Sequence, residues 1–136
     1  MQSPTKSLFA YTILYVPDVA ASMQFYKDVF GLEERLLVPE GIYGELSTGS
    51  VILAFAAHSL ASSNLNKGYL PVSVEGKPFG IELGFTCDNV EELVAQSLKA
   101  GAQLEEAPVL KPWGQTVAYI RDPNGFLLEI CTVMED

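Results

Sequence analysis

Residues 9–31 read FAYTILYVPDVAASMQFYKDVFG, and this stretch determines how the fold begins. Its first part is apolar, aromatic and β-branched, which predicts a β-strand over Phe9–Val16. Pro17 stops the strand, and the side chain of Asp18 is suited to cap the free backbone amides of a helix. Apolar residues then recur at helical spacing, at Val19, Met23, Tyr26 and Phe30. Gly31 ends the predicted helix, because glycine tolerates the left-handed conformation there.

The same plan recurs in the second half of the chain. Ile81–Cys87 predicts a strand, and Asp88 is expected to cap the helix that follows it. Glu91 completes a predicted capping box by reaching back to the amide of the cap residue. The offset from Asp18 to Asp88 is 70 residues, and so is the offset between Gly31 and Gly101, which end the two helices. The matching distances indicate an internal repeat.

Three short strand candidates follow each predicted helix. The first set is Glu33–Val38, Ile42–Leu46 and Val51–Ala57; the second is Gln103–Leu110, Gln115–Arg121 and Phe126–Cys131. Turn sequences at 47–50 and 122–125 join the last two strands of each set as hairpins. The chain therefore predicts one α+β domain over residues 1–136 with two βαβββ modules. Module one covers about 8–58, a linker about 59–79 and module two about 80–133. So long a linker is expected to cross between the modules or to cover a surface.

The charge excludes some partners. Acids outnumber bases 17 to 8, giving a formal net charge of −9. Nucleic-acid binding is not expected, because such proteins neutralise phosphates with Lys and Arg, and an anionic membrane surface would repel the chain. The acidity favours solubility, or alternatively a pocket that attracts a cation.

The chain is expected to be cytoplasmic. No secretory signal is visible at its start, and its longest apolar run, Val51–Ala57, is too short to span a bilayer. Cys87 and Cys131 have neither metal-site nor redox spacing, so they are predicted to be small core residues. A disulfide between neighbouring strands is the alternative.

Two longer motifs connect this repeat to a known family. The sequence Tyr15–Val19 followed by Phe25–Leu32, and the sequence Pro112–Gln115 followed by Tyr119–Ile130, resemble the first strand and helix and the last hairpin of the vicinal-oxygen-chelate superfamily. This superfamily includes glyoxalases, bleomycin resistance proteins and extradiol dioxygenases. The resemblance spans about Phe9 to Thr132. It implies that each module curls into half a barrel around a pocket, and that the protein is a homodimer.

The resemblance also implies four positions for metal ligands. In this sequence they fall at Tyr11, Ala54, Glu82 and Glu129, so only the two glutamates are obvious ligands. Metal sites for Zn²⁺ and Ni²⁺ favour imidazole, which is missing from all four positions. We therefore expect no metal cofactor, with Mg²⁺, Mn²⁺, Ni²⁺ or Zn²⁺ bound at Glu82 and Glu129 as the alternative. Without a metal, the two carboxylates are candidate catalytic residues, because one of a close pair holds a proton near neutral pH.

Aromatic side chains are the other candidates for ligand binding. Aromatic faces stack on flat ligands and attract cations. Trp113 stands out, since it lies between Pro112 and Gly114 at a loop edge from which a large ring can cover a pocket. The predicted ligand-binding residues are Tyr11, Tyr43, Phe55, His58, Trp113 and Tyr119.

Three functions remain open from the sequence. The first is a binding protein that sequesters a small aromatic or cationic molecule, as bleomycin resistance proteins do. The second is a glyoxalase-like lyase or isomerase with an atypical divalent metal or a metal-free carboxylate pair. The third is a structural or interaction protein with a vestigial pocket. An extradiol dioxygenase is disfavoured, because its iron site needs two histidines and a carboxylate.

Overall fold

The computed structural model describes residues 3–134, and its elements follow the predicted order. Module one consists of β1 (Tyr11–Val16), α1 (Val19–Phe30), β2 (Glu33–Leu37), β3 (Tyr43–Ser47) and β4 (Ile52–Ala57). A helix that the sequence did not predict, α2 (His58–Asn64), opens the linker. Module two consists of β5 (Leu83–Thr86), α3 (Val90–Lys99), β6 (Gln103–Leu110), β7 (Thr116–Arg121) and β8 (Leu127–Cys131). Within residues 3–134, no helix is long and apolar enough to cross a membrane.

The two sheets have the same topology, as the repeat requires. Their strand orders are β1-β4-β3-β2 and β5-β8-β7-β6. In each sheet the first strand pairs in parallel with the last, because the intervening helix returns the chain to the same end. The other pairs are antiparallel. As a result, β1 and β5 are edge strands, each with one side that its own sheet leaves unpaired.

The first helix cap is confirmed, and the second lies one residue later than predicted. Asp18 accepts a hydrogen bond from the amide of Ala21 at 3.0 Å. In module two, Cys87 still donates its amide to the strand partner Cys131, so the chain leaves the sheet later. Asn89 therefore caps α3, accepting from the amide of Glu92 at 3.1 Å. The prediction of Asp88 and Glu91 as the capping box was wrong for this reason.

The modules pack against each other through their helix sides. The side chains of Leu14, Val16, Tyr26, Phe55, Ile120 and Ile130 belong to one buried cluster. The ring of Phe30 on α1 stacks on that of Phe85 on β5, with centroids 4.0 Å apart. The Tyr26 hydroxyl donates to Asp122 at 2.6 Å, between α1 and the turn that joins β7 to β8. This arrangement leaves one face of each sheet turned away from the helices, which we call the open face.

The rest of the linker is fastened to module two. Arg121 is buried and donates hydrogen bonds to the backbone carbonyls of Gly125, Gly76 and Ser73 at 2.9, 2.6 and 2.6 Å. Gly125 has a φ of 109°, and a Cβ there would lie 2.7 Å from the carbonyl carbon of Ser73. Only glycine fits so close an approach. The linker thus lies across the β7–β8 turn, in agreement with the expectation that it covers a surface.

Candidate functional site

The open face of module two carries a hydrogen-bonded pair of predicted site residues. Leu128 and Ile130 on β8 are fully buried in the core, so Glu129 between them points to the opposite face. Tyr119 lies directly across from Glu129 in the antiparallel ladder. Its hydroxyl donates to the Glu129 carboxylate at 2.9 Å. This bond and partial burial raise the pKa of Tyr119 to about 12, so the phenol stays protonated and keeps donating.

Glu82 joins this pair, just before β5 begins. Partial burial, followed by the nearby carboxylate of Glu129, raises the pKa of Glu82 above its ordinary value. Because two adjacent negative charges repel, the pair holds a shared proton more tightly than one carboxylate alone. A cavity of about 490 Å³ opens between the two modules beside Glu82; it is lined also by Thr12, Leu53 and Phe85, whereas Glu129 and Tyr119 do not line it. This volume lies within the usual range for small-molecule sites.

The thiol nearest this pair is not a nucleophile. Cys131 is the next residue on the same face of β8, and it is buried. Burial and the carboxylate of Glu129 raise its pKa to about 11, so the unreactive protonated form dominates at neutral pH. Both cysteines are free thiols, and the alternative of a disulfide with Cys87 is not realised.

The open face of module one carries a cluster that the sequence analysis missed. The Tyr43 hydroxyl donates to one oxygen of Glu45 at 2.6 Å, and Nε of Arg35 donates to the other at 3.0 Å. Glu45 is buried, while more than half of the Arg35 side chain is exposed. Burial, followed by the bond to Glu45, raises the pKa of Tyr43 strongly. One signal was available: alternation places Glu45, the only charged residue of β3, on the same face as Tyr43.

Of the four positions that correspond to metal ligands in the family, two carry carboxylates and two lack a strong donor atom. Ala54 has no donor atom in its side chain and is fully buried. Tyr11 is 46% exposed at the start of β1, and a neutral phenol is a weak ligand. Glu82 and Glu129 remain as a pair. Among residues 3–134, no group of three or more His, Cys, Asp or Glu side chains is placed to hold a metal ion. The residues present therefore do not fit the family's metal.

The prediction that Phe55 lines the pocket was wrong. Its side chain is fully buried, and its ring packs 5.4 Å from that of Tyr26 on α1. The strand pairs Phe55 with Leu14, another core residue, so both lie on the helix side of the sheet. The alternating pattern was masked because β4 reads ILAFAA and is apolar on both faces.

His58 and Trp113 lie away from the carboxylate pair. His58 is the first residue of α2, and its Nδ1 lies 2.6 Å from the hydroxyl of Tyr69 in the linker. Tyr69 in turn packs edge-on against Tyr15 at 4.9 Å, which anchors the linker at the end of β1. Trp113 is 57% exposed in the β6–β7 turn, and its ring N–H donates to Gln115 at 2.8 Å. The structure brings together Glu82, Glu129 and Tyr119, but not these two residues.

Comparisons with known proteins agree with this fold. The sequence profile of the Glyoxalase/Bleomycin resistance protein/Dioxygenase superfamily matches residues 8–130. A glyoxalase/bleomycin resistance protein/dioxygenase family enzyme from Burkholderia phytofirmans PsJN is similar at 28% identity and a TM-score of 0.79, over 93% of this chain and 99% of that one. Lactoylglutathione lyase from Agrobacterium tumefaciens is 27% identical with a TM-score of 0.64, over 96% of both chains. A glyoxalase-related enzyme from Fulvimarina pelagi, 22% identical with a TM-score of 0.77 over 94% and 89%, shares the fold. No curated protein matches the chain.

The profile match covers both modules, from the start of β1 to the last strand. It includes the helix sequence around Tyr26 and the turn at Asp122, which the structure joins by a hydrogen bond. The chain belongs to the glyoxalase/bleomycin resistance protein/dioxygenase superfamily.

Proposed function

We propose that this protein binds a small aromatic cation at the open face of module two, without a metal, and so sequesters it. The observation that carries the proposal is the hydrogen bond from the Tyr119 hydroxyl to Glu129, whose strand partner Gly84 lies two residues after Glu82. An ammonium group can replace the shared proton and satisfy both carboxylates through charge-assisted hydrogen bonds. The phenol ring of Tyr119 supplies a flat surface next to the charge.

The carboxylate pair predicts how binding depends on pH. Because the pKa of Glu82 is raised, its charge is lost before the pH falls to the ordinary value of 4.5. Affinity for a cation should therefore be full above the raised pKa and decline as the pH falls through it. Benzylamine, which stays protonated throughout, is a suitable probe. Benzyl alcohol, which has the same ring without the charge, is the matched control.

We expect calorimetric titration to give tighter binding of benzylamine than of benzyl alcohol at pH 8. This preference should shrink as the pH is lowered, and benzylamine binding should release protons to the buffer where the pH is near the raised pKa of Glu82. Equal affinity for the two compounds at pH 8 would remove the support for a cation site and leave the vestigial-pocket interpretation in first place.

We also propose that the protein is a homodimer in which module one of one copy faces module two of the other. The hydrogen bonds and ring contacts described between the modules of one chain lie on the helix side. The edges of β1 and β5 are unpaired within their own sheets, and Ile13 on β1 is 44% exposed. Unpaired edges beside apolar surface favour pairing with a second copy.

Sedimentation equilibrium should give twice the chain mass of 14.8 kDa at micromolar concentration. Replacing Ile13 with glutamate should shift the protein toward the monomer, because it places a charge in the apolar surface of the proposed interface. A monomeric wild type would contradict the proposed assembly while leaving the cation site to be judged by titration.

A metal-free lyase or isomerase is the second candidate. It is favoured by the raised pKa of Glu82, since a carboxyl poised nearer neutral pH is a better general acid or base. The 27% identity to a lactoylglutathione lyase points the same way. Exchange of the α-hydrogen of S-lactoylglutathione with solvent deuterium would support it, provided that Glu82→Gln abolishes the exchange.

A further inference from the structure

The first strand after each helix contains a bulge at the same place in the repeat. In β2, Glu34 pairs with Leu46 and Leu36 pairs with Glu45, so Arg35 is the extra residue. In β6 the register shifts between Leu104 and Glu106, which makes Glu105 the extra residue. A bulge re-aims the side chain of the inserted residue and is a device for placing it at a site.

The two bulge residues form ion pairs of opposite polarity. Arg35 donates from Nε to Glu45 on the neighbouring strand at 3.0 Å. In module two the signs are reversed, with Glu105 lying 3.8 Å from Arg121 on the neighbouring strand. Each module therefore carries a charged pair at its bulge, and the two pairs have opposite polarity.

The two arginines differ in how their donors are used. Nε and both terminal nitrogens of Arg121 donate to backbone carbonyls, so its guanidinium is occupied in holding the linker. Arg35 donates only from Nε to Glu45, and its side chain is 57% exposed. Among residues 3–134, no side chain or carbonyl accepts from the terminal nitrogens of Arg35. Two parallel N–H groups thus remain free, in the geometry that matches the two oxygens of a carboxylate.

Neighbouring side chains position this fork, the pair of free N–H groups on the terminal nitrogens of Arg35, and place aromatic rings on the same face. Glu45 is buried and accepts from the Tyr43 hydroxyl on its other oxygen at 2.6 Å, so it holds Nε of Arg35 at a fixed position. Tyr11 is 46% exposed at the start of β1, on the same face of the sheet as Tyr43. The two phenol rings and the fork share the open face of module one.

We propose that Arg35 is the anchor of a second subsite, which binds the carboxylate of an aromatic acid on the open face of module one. This inference deepens the proposed function: the ligand carries a carboxylate as well as a cationic group, or the pocket accepts aromatic acids beside aromatic amines. A buried carboxylate that orients an arginine by Nε leaves the arginine's outer edge for a ligand. Arg35 is therefore a specificity-determining residue of the binding site.

The test compares benzoate and benzylamine as probes, by ligand-observed NMR titration of the full chain. Four proteins are needed: wild type, Arg35→Gln, Arg35→Lys and Lys27→Gln. Lys27→Gln is a matched control, because it also removes one positive charge. Lys27 lies on α1, on the other side of the same sheet, where it pairs with Glu34. Thermal melting of each variant establishes that it is folded. Arg35→Lys keeps the charge beside Glu45, so it stays informative even if Arg35→Gln is unstable.

Arg35→Gln should weaken benzoate binding by about tenfold or more and leave benzylamine binding unchanged. Arg35→Lys should lose part of the benzoate affinity, since an ammonium lacks the fork. Lys27→Gln should change neither. The inference is overturned if the wild type does not bind benzoate, or if Lys27→Gln weakens benzoate as much as Arg35→Gln does. Failure of the proposed function looks different, because then benzylamine does not bind the wild type whatever happens to benzoate.

Discussion

Replacing Asp122 with alanine is expected to destabilise the fold by about 3–5 kcal/mol, the largest loss we predict for a single substitution. Asp122 is fully buried at the turn between β7 and β8. One oxygen accepts from the amides of Asn124, Gly125 and Phe126 at 2.9, 2.9 and 3.0 Å. The other accepts from the hydroxyl of Tyr26 at 2.6 Å. Alanine leaves these donors without their acceptor inside the protein and breaks the polar link between the modules.

Denaturant unfolding of matched variants measures this loss. Tyr26→Phe removes one hydroxyl from the same network and should cost about 1–3 kcal/mol. Asp28→Ala is the control, because Asp28 is exposed on α1 and bonds only Gln24, so it should cost no more than about 0.5 kcal/mol. If Asp122→Ala were as stable as Asp28→Ala, the turn would not be the structural link described here.

Replacing Glu129 with glutamine should weaken benzylamine binding by about ten- to a hundredfold, the largest functional effect we predict. Glutamine keeps the shape of the side chain but removes the charge that Glu82 and Tyr119 surround. A neutral amide cannot form the ion pair with ammonium. The fold should be as stable as that of the wild type, since the variant removes like-charge repulsion.

Glu91→Gln is the matched control for this loss. Glu91 is exposed in the first turn of α3, on the helix side of the same sheet. Glu91→Gln removes the same unit of negative charge from the protein without changing the open face. If Glu91→Gln weakened benzylamine binding as much as Glu129→Gln, the acidity of the whole protein would account for binding and the site would not.

The sequence predicts the fold closely because both modules use strong local signals. Asp18 and Gly31 bound α1 as predicted, and β6 spans Gln103–Leu110 as predicted. These local signals do not decide between two suitable cap residues that are adjacent in sequence. Asp88 and Asn89 are both good N-caps, and only the length of β5 determines which of them caps α3. Helix α2 begins without a side-chain cap and lacks an apolar stripe, so no pattern in the sequence predicts it.

The site was predictable in part for a similar reason. Alternation about Glu129 fixes the face that it shares with Tyr119, because its neighbours are unmistakably core residues. In β4, where apolar residues fill both faces, alternation gives no answer and Phe55 was misplaced. The ion pair of Arg35 with Glu45 depends on the bulge, which shifts the register between strands by one residue. A register shift of this kind is a tertiary feature and leaves no local pattern to read.

Calorimetric competition between benzylamine and divalent metal ions tests the central claim most directly. Protein freed of metal with a chelator is titrated with benzylamine, first alone and then in the presence of Mn²⁺ or Zn²⁺. We predict that benzylamine binds once per chain and keeps its affinity when the metal is present. Stoichiometric binding of a metal that displaces benzylamine and is lost in Glu129→Gln would contradict the account, because Glu82 and Glu129 would then be metal ligands.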